Sequence, residues 1–211
     1  MKVLITAGPT REKLDAVRFL TNRSTGKMGY AMAEAARDAG HEVTLVSGPV
    51  ALPVPRGITL VPVESAAEMA EAVKERAPQM GLVVMCAAVA DYRPKQVFAG
   101  KMKKRDGGLV LELERTEDIL ASLGKMKSPG QILVGFAAET DDLLANAAGK
   151  LEKKNLDWIC ANDVSRPDIG FGSDENCVTL MGRDGRRYGI GPDTKRAVAE
   201  AILEIVTDSG Q

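Results

Sequence analysis

Short apolar runs rich in β-branched residues alternate along the chain with longer segments in which apolar residues recur at helical spacing. This alternation is typical of a parallel sheet wrapped by helices. The predicted strands cover residues 3–6, 42–47, 59–63, 82–86, 132–136 and 158–161. The predicted helices cover residues 28–39, 66–76, 117–125, 141–154 and 194–205. The pattern therefore predicts a doubly wound α/β protein.

The C-terminal part of the chain departs from this alternation. Two strand-like runs, residues 177–181 and 186–190, flank the glycine-bounded segment 182–185, which predicts an antiparallel hairpin. The segment 92–108 is rich in lysine and glycine, and we interpret it as a loop or flap. The expected fold class is α/β, with a Rossmann-like, mostly parallel sheet, helices on both faces and a C-terminal hairpin. At 211 residues, we expect 1–211 to form one domain.

Composition narrows the possible functions. The net charge is −1 and no basic tail is present. This composition argues against a protein whose main role is to bind nucleic acid or anionic membranes. Three widely spaced cysteines and an apolar N-terminal run without a signal peptide favour a reduced, cytoplasmic protein. The single histidine, His41, and the lack of metal-ligand spacings argue against zinc chemistry and a histidine-based triad.

Polar residues that directly follow strands are the candidates for chemistry, because an open α/β sheet binds ligands beyond the carboxyl ends of its strands. Such residues occupy the segments 6–12, 87–93, 137–140 and 162–163. Many residues in these segments are small, which lets a ligand approach the backbone closely. We expect these tips to form one binding site.

The glycines between residues 24 and 29 satisfy neither the phosphate-loop pattern GxxxxGK[ST] nor the dinucleotide pattern GxGxxG. Gly26 and Gly29 could serve only a turn and close helix packing. Alternatively, Ser24, Thr25 and the free amides of the following helix bind a phosphate or carboxylate, as helix N-termini do. The residues alone leave both interpretations open.

Two groups of lysines are candidate anion ligands. Lys150, Lys153 and Lys154 lie on neighbouring faces of one predicted helix, with no acid three or four residues away in that helix. Lys101 and Lys103 alternate in the flap and could share one target. A solvated surface is the competing interpretation for both groups.

Seven segments together resemble a known family. They are ITAGPTRE at 5–12, DAVRFLTNRSTGKMG at 15–29, VTLVSGPV at 43–50, AAVADYRP at 87–94, KMKK at 101–104, VGFAAET at 134–140 and KNLDWICANDVS at 154–165. In this order they resemble phosphopantothenoylcysteine synthetase, in the bacterial CTP-using form that is usually fused behind a flavin-dependent decarboxylase. The resemblance covers almost the whole chain.

This resemblance implies a two-step ligase reaction of coenzyme A biosynthesis. The carboxylate of 4′-phosphopantothenate attacks the α-phosphate of CTP, giving an acyl cytidylate and pyrophosphate. The amine of L-cysteine then displaces CMP and forms 4′-phosphopantothenoylcysteine. Mg²⁺ is expected to hold the triphosphate. The preference for CTP over ATP rests on the resemblance.

The resemblance also implies roles for individual residues. Asn22 and Lys101 correspond to catalytic positions, and Arg18 corresponds to a residue that reaches phosphopantothenate across a homodimer interface. The substrate-binding positions are Arg18, Asn22, Ala87, Ala88 and Asp91. The nucleotide-binding positions are Met85, Cys86, Ala87, Asp91, Lys101, Glu117, Asp118, Ile119, Leu120, Phe136, Lys150 and Lys154. Glu117 departs from the proline or small residue usual there, and the metal ligands are not identified.

Two other classes of function share this fold. A nicotinamide-dependent oxidoreductase would require the dinucleotide glycine pattern and an acidic residue at the end of the second strand, where this chain has Ser47. A non-catalytic nucleotide-sensing module would leave the convergence of polar strand tips unexplained. Pyrophosphate release from CTP and phosphopantothenate would separate the ligase from both.

Overall fold

The computed structural model describes residues 1–103, 106–139, 143–163 and 172–208. Its strands are β1 (Lys2–Ala7), β2 (Arg11–Lys13), β3 (Phe19–Thr21), β4 (Glu42–Ser47), β5 (Thr59–Pro62), β6 (Leu82–Met85), β7 (Tyr92–Pro94), β8 (Leu113–Arg115), β9 (Ile132–Glu139), β10 (Trp158–Asp163), β11 (Glu175–Gly182) and β12 (Arg187–Thr194). Its α-helices are α1 (Lys27–Asp38), α2 (Ala66–Arg76), α3 (Ile119–Met126), α4 (Leu143–Lys153) and α5 (Lys195–Asp208).

The described part of the chain is built around an eight-stranded sheet in the order β12-β11-β10-β9-β6-β1-β4-β5. The strands from β10 to β5 pair in parallel, whereas β11 is antiparallel to both β10 and β12. This arrangement confirms the predicted Rossmann-like fold class and its C-terminal hairpin. From β1 the chain adds β4 and β5 on one side and then β6, β9 and β10 on the other side. The position between β1 and β6 is therefore the topological switch point, where open α/β sheets bind ligands.

The two faces of the sheet are covered by different helices because side chains alternate along each strand. Val3 and Ile5 of β1 are fully buried against the face that carries α1 and α5. Leu4, between them, is buried in the opposite cluster with residues of α2, α3 and α4. The strands are therefore apolar on both faces, as parallel strands covered on two sides require.

The helix ends follow local capping. Gly40 has a φ of 82°, and its amide donates to Arg37 O at 2.9 Å while the amide of His41 donates to Ala36 O at 3.1 Å. This left-handed glycine ends α1 as predicted. The helix predicted from residue 117 starts two residues later, because the Asp118 side chain accepts from the Ala121 amide and caps α3.

Two short antiparallel ribbons were not predicted. β2 pairs with β3, and β7 pairs with β8. The second ribbon lies at the start of the predicted flap: Lys95 Nζ lies 2.6 Å from Glu112, and the Lys95 amide donates to Glu112 O. The prediction that 92–108 is entirely loop was therefore wrong at 92–94, because strands of three residues give too short an alternation to recognise. Lys104 and residues 140–142, which belong to other sequence predictions, lie outside the described residues.

None of the helices in the described ranges has the length and apolar character needed to cross a membrane.

Candidate active site

Glycines at the switch point allow the end of β1 and the start of α1 to lie in close contact. Gly8 and Gly26 have φ values of 74° and 80°. A Cβ added at Gly26 would lie 3.3 Å from Gly8 Cα, and one added at Gly29 would lie 2.6 Å from Ala7 Cβ. Gly26 and Gly29 therefore allow close packing of the backbone, which is one of the two interpretations that the sequence left open. Their close packing also places the N-terminus of α1 directly at the end of β1.

Buried threonines hold the chain that leaves β6. Thr6 Oγ1 accepts from the amides of Cys86 and Ala87 at 3.1 and 3.0 Å. Thr10 Oγ1 accepts from the Ala90 amide at 3.0 Å, and both threonine side chains belong to fully buried residues. The backbone of residues 86–90 is thus fixed against the end of β1 rather than left as a free loop.

A cleft of about 690 Å³ opens at this point. Most of the residues predicted for the site line it: Asn22, Met85, Cys86, Ala87, Ala88, Asp91, Glu117, Asp118, Ile119, Leu120, Phe136, Lys150 and Lys154. Segment 24–29 with the start of α1 forms one wall. Residues more than 130 positions apart therefore meet in one place, as expected for strand tips of a parallel sheet.

Asn22 lies at the mouth of the cleft. Its Nδ2 donates to Ala88 O at 2.9 Å. The neighbouring Thr21 is held by its own side chain, whose Oγ1 donates to Thr10 O at 2.7 Å. An amide has two N–H groups and a carbonyl oxygen. The hydrogen bond to Ala88 orients Asn22 while using only one N–H.

Lys154 forms an ion pair with the residue that caps α3. Its Nζ lies 2.9 Å from the carboxylate of Asp118. Burial opposes ionisation of Asp118, but hydrogen bonds from Lys154 and the Ala121 amide outweigh it and lower the pKa of the carboxyl. The sequence shows no acidic partner for Lys154 within its own helix. The structure supplies one from another helix, because Asp118 lies at the start of α3. Lys150 also lines the cleft, whereas Lys153 is exposed and does not.

Glu117, the position that departs from the family pattern, turns its carboxylate towards α2. It accepts from Lys74 Nζ at 2.9 and 2.7 Å and from Ser122 Oγ at 2.8 Å. The hydrogen bond from Lys74, followed by that from Ser122, lowers the pKa of the Glu117 carboxyl. Its negative charge is neutralised locally, which makes it compatible with an anionic ligand in the cleft.

The lining includes Lys195 and Asn176, which were absent from the predicted site, and Asn162, which was predicted only as part of a strand tip. Lys195, at the start of α5, is 7% exposed, and burial together with the charge of Lys27 lowers the pKa of its ammonium. Asn176 is buried, and its Nδ2 lies 3.5 Å from Met28 Sδ. Asn162 Oδ1 is buried without a hydrogen-bond partner within the described part of the chain. A lysine in the first turn of a helix opposes the helix dipole, and that conflict was an available signal for Lys195.

Two predicted residues, Arg18 and Lys101, do not line this cleft. The Arg18 guanidinium donates to the carboxylate of Asp15 and to Met102 O, at 3.1 Å in the latter case. Lys101 directly precedes Met102 in the flap. The structure therefore brings these two residues close to each other, but at a separate location.

The cleft suits binding and positioning of anions better than covalent catalysis. Burial raises the pKa of the Cys86 thiol to about 12, so the thiolate that would act as a nucleophile is not formed near neutral pH. Four lysines, Lys27, Lys150, Lys154 and Lys195, line the cavity instead. No group of three or more potential metal ligands was found among the residues that the structure describes.

The fold and site define a class: an α/β protein with a Rossmann-like sheet and a cationic ligand cleft at its switch point. Residues 1–209 match the family of the DNA/pantothenate metabolism flavoprotein C-terminal domain, and the chain belongs to that family. The family expectation from the sequence is thereby confirmed.

The chain is similar over nearly all of its length to coenzyme A biosynthesis proteins. The chain is 54% identical over 203 residues to the coenzyme A biosynthesis bifunctional protein CoaBC of Bacillus subtilis, covering 96% of this chain and 50% of the relative. It is 48% identical over 207 residues to CoaBC of Vibrio cholerae, covering 97% and 52%. The crystal structure of the C-terminal domain of CoaBC superimposes with a TM-score of 0.84 at 48% identity, covering 99% of this chain and 94% of that one. The chain thus spans about half the length of these curated relatives.

Proposed function

We propose that this protein is a phosphopantothenate–cysteine ligase that uses CTP and forms an acyl-cytidylate intermediate in coenzyme A biosynthesis. One observation carries the proposal: all but two of the residues that the family resemblance assigns to nucleotide and substrate line one cleft at the switch point. The high identity to coenzyme A biosynthesis proteins supports the same assignment.

In the first step, a carboxylate oxygen of 4′-phosphopantothenate attacks the α-phosphorus of CTP. The bond from that phosphorus to the bridging oxygen breaks, and pyrophosphate leaves with the electron pair. In the second step the amine of L-cysteine attacks the acyl carbon, loses a proton, and expels CMP. The acyl carbon–oxygen bond breaks, so CMP keeps the original carboxylate oxygen.

The cleft supports this chemistry by position and charge. Lys150 and Lys154 place positive charge where the triphosphate would lie, and such groups stabilise charge that develops on phosphoryl oxygens. Asn22, oriented by Ala88 O, has a further N–H with which it would donate to the oxyanion formed during cysteine attack. Residues 86–90, whose backbone is held by Thr6 and Thr10, line the same cavity.

Mg²⁺ is part of the proposal, and the residues present fit an ion delivered with the nucleotide. Mg²⁺ is usually held by one or two carboxylates together with substrate phosphates. Among the cleft carboxylates, Glu117 is paired with Lys74 and Asp118 with Lys154. Asp91 forms no ion pair within the described ranges and is the residue that would hold the ion. Bound there, Mg²⁺ would neutralise phosphate charge.

We also propose the partners and setting that this activity implies. Arg18, which lies outside the cleft, would reach phosphopantothenate in the neighbouring subunit of a homodimer. A flavin-dependent phosphopantothenoylcysteine decarboxylase, as a fused or separate domain, would consume the product. The reaction would take place in the cytoplasm.

The Asn22→Asp variant tests this function by separating the two half-reactions. An aspartate cannot donate to the oxyanion, and loss of one such donor slows the affected step by about 100- to 1,000-fold. We expect pyrophosphate release to continue for about one turnover and the acyl cytidylate to accumulate in quenched reactions. A wild-type protein that releases no pyrophosphate from CTP and phosphopantothenate would refute the function. Equal loss of both steps in the variant would refute only the role of Asn22.

A further inference from the structure

Asp15 is a buried carboxylate with an unusual number of donors. Its side chain is 0% exposed, although it lies in the loop between β2 and β3. Five N–H groups point at its two oxygens, from Val17, Arg18 and Met102. The predicted site did not include it. A buried charge that is this completely hydrogen-bonded requires a structural or functional explanation.

The two oxygens of Asp15 have different partners. Oδ1 accepts from the amides of Val17 and Arg18, both at 2.8 Å, and so closes the local turn. Oδ2 accepts from Arg18 Nε at 2.9 Å, from Arg18 Nη2, and from the Met102 amide at 3.0 Å. One oxygen therefore builds the loop, and the other joins Arg18 to a segment more than 80 residues away in sequence.

The flap is tied to this loop at further points. Arg18 Nη2 donates to Met102 O at 3.1 Å, so both backbone groups of Met102 are held. The Phe98 amide donates to Leu14 O at 3.1 Å. The flap is anchored on both sides of Lys101, which lies between Phe98 and Met102. We call Asp15, Arg18 and Met102 the Asp15 hub.

We propose that Asp15 is a positioning residue that couples Arg18 to Lys101, so that the guanidinium and the flap lysine are held in a fixed position relative to each other when the two substrates bind. The inference rests on the proposed function, which assigns Arg18 to phosphopantothenate and Lys101 to the triphosphate. It goes beyond that function because it makes the two residues a unit with a common anchor. Asp15 itself need not touch substrate.

The Asp15→Asn variant separates the two halves of the hub. An asparagine keeps one oxygen for the Val17 and Arg18 amides, but its Nδ2 cannot accept from Arg18 or Met102. The matched control is Asp38→Asn. Asp38 also pairs with two arginines, Arg37 and Arg196, and among the described residues it forms no ion pair with the flap.

The first measurement is limited trypsin digestion, which requires no catalytic activity. We expect cleavage after Lys101 and Lys103 to accelerate about tenfold in Asp15→Asn and to stay at the wild-type rate in Asp38→Asn, because Asp15 accepts from the Met102 amide and Asp38 pairs with Arg37 and Arg196 instead. Unchanged cleavage in Asp15→Asn would overturn the anchoring role, whether or not the protein proves to be a ligase.

The second measurement is a double-mutant cycle on pyrophosphate release. Asp15→Asn should lower kcat about tenfold or more while the Kd for CTP changes less than about twofold, because the cleft is intact. In the Lys101→Gln background the same substitution should cause a smaller fold-loss than in the wild type, since the part of its effect that acts through Lys101 is already gone. Equal fold-losses in both backgrounds would overturn the coupling and leave the proposed function standing.

A second variant covers the case in which Asp15→Asn does not fold. Arg18→Lys keeps the charge but cannot donate from Nε and Nη2 together to Asp15 and also to Met102 O. It should raise trypsin cleavage after Lys101 as Asp15→Asn would. A folded Arg18→Lys protein with wild-type cleavage would likewise contradict the hub.

Discussion

The cleft and the Asp15 hub place predicted site residues by different physical means. In the cleft, the residues follow strands of one parallel sheet, so the topology itself brings them together at the switch point. In the hub, Arg18 and the flap next to Lys101 are joined by a single buried carboxylate and a few backbone hydrogen bonds.

This difference separates two kinds of contribution to the proposed reaction. A cleft residue is carried by a sheet that the hydrophobic core stabilises. Substitution of its side chain should therefore weaken ligand binding and leave the fold of the molecule almost unchanged. The hub depends on one ionised side chain, so its loss should release two residues at once. Substitutions in the two regions should therefore differ in which kinetic constant they change.

The largest effect should come from damage to the frame of the cleft. In Gly29→Ala the new Cβ would lie 2.9 Å from Ala7 Cα and Thr6 O, and α1 would have to move away from β1. We expect the free energy of unfolding to fall by about 2–3 kcal/mol, the upper part of the range of about 1–3 kcal/mol for overpacking, measured by urea denaturation. Gly149→Ala is the control: it is in α4 with nothing within 4 Å of the added Cβ, and it should be neutral or stabilising. Equal loss in both variants would show that α1 does not pack tightly on β1.

Loss of the cleft lysine should have the next largest effect. Lys154→Met removes an ammonium from the cleft and leaves Asp118 unpaired beside the expected triphosphate. We expect the Kd for CTP to rise about tenfold, equivalent to about 1.4 kcal/mol for a lost charge-assisted contact, as measured by calorimetry. Lys153→Met, one residue earlier but exposed, should bind CTP normally. If both variants weaken CTP equally, general charge rather than the cleft accounts for binding.

Substitution of Asn162 should have a smaller effect, and it should change substrate binding more than the free energy of unfolding. Its Oδ1 is buried without a partner in the described residues, so Asn162→Ala should change the free energy of unfolding by less than about 1 kcal/mol. In the proposed reaction this oxygen would accept from the amine of L-cysteine. We expect KM for cysteine to rise about fivefold with KM for CTP unchanged. A rise confined to CTP would place the nucleotide, not the amino acid, at Asn162.

The smallest effect concerns pH and the hub. The hydrogen bonds from Arg18 hold the pKa of the Asp15 carboxyl below its usual 3.8, although burial opposes them. An unfolded Asp15 titrates near that usual value, so its stabilising effect is complete above it and is lost as the pH falls towards the lower folded-state pKa. The difference in unfolding free energy between wild type and Asp15→Asn should therefore stay constant down to about pH 5 and shrink from there to about pH 3. For Lys153→Met the corresponding difference should stay constant, and a shrinking one there would contradict the assignment to Asp15.

Much of this architecture could be predicted from the sequence because it depends on local pattern. The apolar run 3–6 and the glycine-terminated helix 28–39 correspond to β1 and α1 within a residue or two. The cleft followed from the same pattern, because parallel strand ends must meet at one edge. The family resemblance then supplied the particular residues at those ends.

Long-range side-chain contacts could not be predicted in the same way. The ion pair between Asp118 and Lys154 joins two helices, and no spacing within either helix indicates it. The contact of Asp15 with the Met102 amide joins two loops, whose relative position depends on the whole fold. Asp15 in a polar segment is indistinguishable in sequence from an ordinary turn residue. Its burial becomes evident only when the flap is placed over it.

The central claim, that the protein forms an acyl cytidylate from phosphopantothenate and CTP, is tested most directly by following one oxygen atom. Phosphopantothenate with heavy oxygen in its carboxylate would be converted with CTP, Mg²⁺ and cysteine, and the nucleotide product analysed by mass spectrometry. The proposed chemistry predicts CMP that carries one heavy oxygen on its phosphate, because the acyl carbon–oxygen bond breaks in the second step. Unlabelled CMP, or CDP with the heavy oxygen in inorganic phosphate, would contradict the account.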